Sequence, residues 1–210
     1  MDDHPVLRYG LALLINQEAD LTVCGEEADA SKALNAINQL KPDLVIVDLS
    51  LKDSSGLELI RNIKAQYSGV RMLVLSLHDE LIFAEVAFRA GALGYLMKQE
   101  ASERIITAIR RVLSGQIYLS DALAAKLLQQ QVLGESDTND SPVKRLSDRE
   151  LEILQLIGRW KKTSEIAREL HLSVNTIESY RQQIKRKLNV TSGSELVRYA
   201  SSWVRKEFLT

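Results

Sequence analysis

Leu44-Val45-Ile46-Val47-Asp48 is the stretch that decides how this chain is read. A short β-branched apolar run, introduced by Lys41-Pro42-Asp43, predicts a strand buried on both faces. It ends in a carboxylate and runs into the polar loop Ser50-Leu51-Lys52-Asp53-Ser54-Ser55-Gly56. Open parallel sheets bind ligands just outside the carboxyl ends of their strands, which places Asp48 where such a fold does its chemistry. A single Asp after a strand otherwise only turns the chain. Its neighbours therefore have to decide.

Outward from this strand, helical and strand signals alternate. Pro5 to Glu18 carries a helical stripe of Leu7, Leu11, Leu14 and Ile15 behind a starting proline. Leu21 to Gly25 predicts a short strand, and Ser31 to Leu40 a helix. After Asp48 come a helix through Leu57, Ile60 and Ile63, and then a strand from Val70 to Ser76. A helix from Asp79 to Ala90 follows, capped by Gly91. The strand Gly94 to Met97 ends at Lys98, and Ala101 to Leu113 is a last amphipathic helix. Repeated strand–helix units imply a doubly wound parallel sheet with helices on both faces.

In such a sheet Asp48, Ser76 and Lys98 project from one edge, and the pair Asp2-Asp3 before the first helix lies at that edge too. Converging carboxylates suit Mg²⁺, a hard cation that takes oxygen ligands and keeps some waters. Phosphoryl transfer needs a nucleophile, a metal and fixed donors around the equatorial oxygens. Asp48 supplies the first, Asp2, Asp3 and a loop carbonyl the second, and Lys98 with Ser76 the third. Singly, each has a plainer role: a solvated Lys98, a helix-capping Ser76, an acidic pair favouring a helix start. Together at one edge, the plain roles lose ground.

Asp2-Asp3-His4-Pro5, Asp48, Ser76 and Tyr95-Leu96-Met97-Lys98 resemble the receiver domain of two-component response regulators, over roughly the first 115 residues. The resemblance implies a flavodoxin-like fold and a phosphoryl group accepted on Asp48 from a histidine kinase. It implies Mg²⁺ held by Asp2, Asp3, Asp48 and the Ser50 carbonyl. It also implies that Ser76 moves toward the phosphoryl group, that Tyr95 turns inward behind it, and that the side chains of Ser50 and His78 tune hydrolysis. His78 by itself reads as a surface residue. Two departures stand out. Lys52 occupies a position where receivers usually carry proline. Receivers also open with an apolar strand that ends in the acidic pair, whereas this chain opens at Met1. A sheet without that strand, unless another segment or chain fills the slot, is expected to expose apolar surface and a pairing edge. Such a sheet would associate or be less stable.

The second half differs in charge and in pattern. Residues 144–210 hold 14 Lys/Arg against 8 Asp/Glu, and the preceding residues 13 against 20, so a basic part follows an acidic one. That asymmetry suggests one part that handles cations and one that meets a polyanion. Between them, Ser120 to Gln131 predicts a helix capped by Ser120, and Gly134 to Pro142 a flexible linker. The expected division is 1–116, then 117–143 as helical segment and linker, then 144–210. Within the basic part, Ser147-Asp148-Arg149-Glu150 is a capping box that opens a helix through Leu151, Leu154 and Ile157. A short helix from Thr163, the tight connection His171-Leu172-Ser173, a helix from about Val174 to Leu188 and a last one from Glu195 to Trp203 follow. Two helices at a tight turn, the second with many outward polar groups, form a helix-turn-helix signature. Ile177, Ile184 and Leu188 are expected to point inward.

Leu146 to Leu154, Ser164 to Ala167, Leu172 to Ile177 and Lys187 to Val190 resemble the LuxR-type DNA-binding domain, so the whole chain looks like a response regulator of the NarL/LuxR class. By that resemblance Glu178, Ser179 and Gln182 approach base edges of double-stranded DNA, and Glu and Gln suit cytosine and adenine respectively. Thr176, Arg181, Lys185 and Lys187 are placed for phosphates. One such module reads one half-site, so a homodimer is expected on activation. The acidic front part is expected to restrain the basic module until Asp48 is modified. A lone Cys24 gives no disulfide or cysteine-metal framework, no apolar run reaches membrane-spanning length, and no signal peptide is present, so a cytoplasmic protein is expected. Two alternatives stand beside this reading. An aspartyl-phosphate hydrolase of the haloacid dehalogenase type needs a second Asp two residues on, where Ser50 stands, so an enzyme is not expected. A phosphorylation-independent regulator with a degenerate receiver for ligand or partner binding is favoured only by the first-strand departure.

Overall fold

The computed structural model describes residues 1–51, 55–78, 80–125, 128 and 142–208. The chain forms two compact units, Met1–Lys126 and Leu127–Thr210. Of the linker expected over Gly134 to Pro142, Pro142 alone lies within the described residues.

In the first unit the elements run α1 Pro5–Asn16, α2 Ala30–Leu40, β1 Leu44–Val47, α3 Gly56–Gln66, β2 Arg71–Ser76, α4 Glu80–Ala90, β3 Gly94–Met97 and α5 Ala101–Leu113. Among the described residues the strands form one sheet in the order β1-β2-β3, parallel throughout. Val47 pairs with Val74, and Ser76 with Met97, so the three carboxyl ends share one edge. Side chains alternate across the sheet. Leu73, Leu75 and Leu96 pack with Leu11 and Ile15 of α1 and with Ile105, Ala108, Ile109 and Val112 of α5. Met72 and Val74 take the other face, and Ile60 and Ile63 of α3 and Phe83, Ala84 and Ala87 of α4 are buried with them.

Local chemistry explains the element ends. The Asp29 side chain accepts hydrogen bonds from Ser31 and Lys32 and caps α2. After α4, Gly91 adopts φ +122, and the Ala92 N–H reaches back to the Ala87 carbonyl at 3.0 Å, a left-handed closure open to glycine. Beyond α5, Tyr118 forms a backbone bridge beside β3. Ser120 caps a helical turn at 121–125, its Oγ accepting from the Leu123 N–H at 3.1 Å.

Two sequence expectations need correction. Leu21 to Gly25 is not a strand. Its backbone is engaged elsewhere: the Val23 N–H donates to the Asn16 side chain at 2.8 Å and the Leu21 N–H to the Glu18 carbonyl at 3.3 Å. Nor is β1 buried on both faces, since only Val47 is buried and Leu44, Val45 and Ile46 are half-exposed. Both departures have one cause. Met1 and Asp2 lie between the end of β1 and the 21–27 segment, bonded on both sides as the last rungs of a strand would be. The Asp48 N–H donates to the Met1 carbonyl at 3.0 Å, and the Asp2 N–H to the Glu27 carbonyl at 3.2 Å. Below these two rungs a groove of about 510 Å³ separates β1 from Leu21 to Gly25, floored by Leu75, Ile109 and Leu113. Among the described residues no strand lies across the groove between β1 and Leu21 to Gly25 along that length.

The second unit contains α6 Asp148–Gly158, α7 Thr163–Glu169, α8 Val174–Leu188 and α9 Gly193–Phe208, after a 3₁₀ turn at Pro142–Arg145. Its core collects Leu151, Leu154, Ile157, Ile166, Leu170, Ile177, Ile184, Leu188, Leu196 and Ala200, all buried. The expected inward positions of α8 are therefore inward.

Gly56 ties the fold to the edge of the sheet. A Cβ there would lie 2.1 Å from the Asp48 carbonyl oxygen and 2.6 Å from the Leu49 Cα, and both are backbone atoms. Gly56→Ala is expected to destabilise the first unit by at least about 2 kcal/mol through forced backbone displacement. It should also reduce cation binding at Asp48 although no charge changes. Chemical denaturation and Mg²⁺ titration measure the two effects.

Candidate functional site

Asp48 follows β1 directly, and the parallel register sets it beside the ends of β2 and β3. It is 1% exposed and Asp2 is 2% exposed. Burying two carboxylates is costly unless a cation and hydrogen bonds compensate. Lys98 provides the cation: its Nζ lies 2.7 Å from Asp48 Oδ2 and 2.7 Å from Asp2 Oδ2. The other Asp48 oxygen, Oδ1, accepts from the Ser50 N–H at 3.2 Å. Asp2 is braced in turn, its Oδ1 taking the His4 N–H at 2.9 Å and its carbonyl taking the Arg8 guanidinium at 2.6 Å.

The hydroxyl side of the site is a second connected set. The His78 N–H donates to Ser76 Oγ at 3.1 Å, and His78 Nε2 lies 2.7 Å from Ser50 Oγ. Tyr95 is fully buried, and its hydroxyl donates to the His78 carbonyl at 2.9 Å. His78 thus joins Ser50, Ser76 and Tyr95, and Phe83 packs against its ring at 4.8 Å between centroids. Its surface reading from sequence is corrected by these contacts.

Electrostatics follow from this crowding. Burial pushes the Asp48 carboxyl above its ordinary 3.8, and Asp2 adds to the rise, so that Lys98 and the Ser50 N–H only partly offset it. Burial pulls the Lys98 ammonium down, but Asp48 and Asp2 overcome that and hold it above its ordinary 10.5. Ligand atoms of Asp2, Asp3, His4 and Asp48 all lie within 4.8 Å of one another. Lys98 reaches two of the three carboxylates and Asp3 stands beside them, so carboxylate oxygens converge in a way that suits a hard divalent cation. Residues that the sequence did not single out are Arg8, which clamps the Asp2 backbone, and His4 as a member of the cluster. His4 Nδ1 stands 3.0 Å from Asp2 and 2.8 Å from Asp3, and only its place beside the acidic pair signalled it.

In the second unit α8 exposes Glu178, Ser179 and Gln182, while Thr176, Arg181 and Lys185 are half-exposed. Glu178 accepts from Thr163 Oγ1 at 2.9 Å, which links α7 to α8, and Arg181 stands 3.7 Å from it. Thr176 is occupied in the Ser173 cap. Lys187 differs from the others, because its ammonium lies 2.6 Å from the buried Glu150. Burial alone would raise Glu150, but Lys187 and the Ser147 cap bonds hold it below its ordinary value. That pair bolts α8 to the start of α6, a structural task that the sequence reading did not foresee.

A parallel sheet with buried carboxylates and a lysine at one edge, followed by a helix-turn-helix unit, defines a receiver joined to a DNA-binding module. The family described as "Response regulator receiver domain" matches residues 1–110, and "Bacterial regulatory proteins, luxR family" matches residues 144–200. The oxygen regulatory protein NreC of Staphylococcus epidermidis is 34% identical over 204 residues, covering 95% of this chain and 94% of that protein. NreC of Staphylococcus aureus is 36% identical over 203 residues, with coverages of 95% and 94%. Among solved structures, RcsB of Salmonella enterica serovar Typhimurium, bound to the rprA promoter with the phosphomimetic BeF3-, superposes with TM-score 0.60 at 27% identity over 95% of each chain. A LuxR-family response regulator from Aurantimonas sp. SI85-9A1 gives TM-score 0.58 at 34% identity over 62% of this chain and 94% of its own. This chain belongs to the two-component response regulators of the LuxR family, transcription regulators with a DNA-binding domain. No helix among the described residues is long and apolar enough to cross a membrane.

Removing the Asp48 charge should relieve the buried repulsion. Asp48→Asn is expected to raise the melting temperature in the presence of chelator, and Mg²⁺ should stabilise the wild type much more than the variant. The pH dependence has a definite sign. The folded value is raised, so stability is fully present below the unfolded value near 3.8 and is lost as pH rises through the raised one. The advantage of Asp48→Asn should grow across that window. Thermal melts at several pH values measure it.

Proposed function

We propose that this chain is a cytoplasmic, phosphorylation-controlled transcription regulator that accepts a phosphoryl group on Asp48 from a histidine kinase. The observation that carries the reading is Lys98 bridging two buried carboxylates at the carboxyl edge of a parallel sheet. In the transfer, an Asp48 oxygen attacks phosphorus, the bond from phosphorus to the donor nitrogen breaks, and the donor histidine leaves with its electron pair. The raised value of Asp48 opposes formation of the carboxylate nucleophile, so added positive charge favours the reaction. Asp2, Asp3, Asp48 and the Ser50 carbonyl would hold Mg²⁺, which would supply that charge beside the incoming phosphoryl oxygens. Lys98 then holds one phosphoryl oxygen and Ser76 donates to another. The contacts from Ser76 through His78 to Tyr95 supply a route by which occupancy at Asp48 alters the surface of the unit. The proposed division is a receiver at 1–116, a connecting segment at 117–143 and a DNA-binding module at 144–210.

Downstream, Glu178, Ser179 and Gln182 of α8 read base edges, and Thr176, Arg181 and Lys185 engage phosphates. Lys187 contributes through its pairing with Glu150. Modules acting on two half-sites require a homodimer on DNA. RcsB, whose structures include two dimers bound to DNA, supports that arrangement by kinship.

Intact mass after treatment with a small phosphodonor tests the first step. The wild type should gain one phosphoryl group in Mg²⁺, and none in chelator or as Asp48→Asn. A phosphorylated Asp48→Asn would refute the assignment and favour the phosphorylation-independent alternative.

On DNA, Gln182→Ala is expected to relax sequence preference. Lys185→Ala should weaken all sequences alike and reduce the salt dependence by about one counterion. Fluorescence anisotropy across a salt series separates the two outcomes.

A further inference from the structure

Trp160 is placed as few tryptophans are. Helix α6 ends at Gly158, and the chain reverses through a six-residue closure in which the Trp160 N–H donates to the Ile157 carbonyl at 2.9 Å and the Lys161 N–H to the Leu156 carbonyl at 3.1 Å. This closure needs a left-handed residue, and Trp160 supplies it with φ +63. Glycine meets that need without a Cβ penalty and asparagine tolerates it, as Asn189 does after α8 with φ +56. A bulky aromatic in this region is a genuine outlier. Nor is the indole repaid by burial, because Trp160 is 70% exposed. A conformational cost without a packing return points to a partner outside the chain.

The surroundings identify the chemistry of that partner. Trp160 lies in the run Arg159-Trp160-Lys161-Lys162, with a cation on each side and a third next along. Lys161 pairs with Glu169 of α7 and Lys162 opens α7, so the turn is fixed to the helix-turn-helix scaffold. Thr163 is hydrogen-bonded to Glu178 on the outward face of α8. Three residues span at most about 10 Å, so Trp160 stands beside the face that reads DNA. An aromatic flanked by cations at that place complements a sugar–phosphate backbone.

We infer that Arg159–Lys162 is a second DNA contact, in which the Trp160 indole packs against deoxyribose beside the segment read by α8 and the neighbouring cations add positive potential toward the phosphates. The contact is independent of base sequence and adds affinity and register. It rests on the reading that α8 faces the major groove, and the experiment separates the two.

The test uses the full chain and duplex DNA selected by the wild type from a randomised pool. The chain has two tryptophans, so Trp203→Phe leaves Trp160 as the sole indole reporter. Its emission should change on saturation with the duplex. Trp160→Gly should fold and melt no lower than the wild type, because glycine suits the left-handed turn. It should bind every duplex roughly fivefold more weakly, the scale of losing one buried indole face, with unchanged sequence preference. Trp160→Gly with wild-type affinity, or Trp160 emission unchanged at saturation, overturns the inference. If Trp160→Gly binds normally while Lys185→Ala does not, the inference fails and the reading of α8 stands. If the wild type selects no DNA, both fail. Weakened self-association of Trp160→Gly without weakened DNA binding would assign the face to a second copy and also overturn the inference.

Discussion

The ion triad of Lys98, Asp48 and Asp2 is the interaction on which the first unit depends. Two buried carboxylates cannot share a sheet edge without a cation, and the Lys98 ammonium reaches both at 2.7 Å. This requires three separate segments to end in register: β1 at Asp48, β3 at Lys98, and the entry to α1 at Asp2. The parallel ladder provides that register, and Gly56 provides the room for the loop after β1 to fold back on the Asp48 carbonyl. The carboxylate oxygens that converge here are the ligands a hard divalent cation takes.

The same triad explains the irregular side of the sheet. Asp2 is bonded through its own backbone to Glu27 and through Arg8, and Met1 is bonded to Asp48, so the acidic pair is held although only two rungs flank it. Beneath those rungs the groove beside β1 leaves the strand half-exposed where a doubly wound sheet would bury it. The groove lies on the opposite side of β1 from the well-packed β2.

The second unit solves a different problem. Helix α8 must be rigid inside and available outside. Ile177, Ile184 and Leu188 anchor it in the core, and Lys187 bolts its last turn to Glu150 in the cap of α6. Glu178 is tied to α7 through Thr163, so the two helices of the motif are joined at their polar faces as well as through their core. The turn before α7 carries the one large aromatic that this unit leaves strongly exposed among its described residues, and it does so at a conformational cost.

Periodicity and composition alone determined most of the architecture. The β-branched runs before Asp48 and Ser76, the capping box at Ser147 and the 3.6-residue stripe of α8 follow from local sterics and apolar spacing, which act over a few residues and can be read directly. The acidic edge was legible because a parallel sheet sends every strand end the same way. Three things were not legible. Leu21 to Gly25 has strand composition but no partner to ladder with, and hydrogen-bond partners are a property of the fold. Nothing local in the sequence announces the pairing of Lys187 with Glu150, 37 positions earlier and 2.6 Å away. His78 reads as a surface residue until the sheet edge brings Ser50, Ser76 and Tyr95 around it. Contacts between distant segments are set by how the elements pack, and only the tertiary structure decides them.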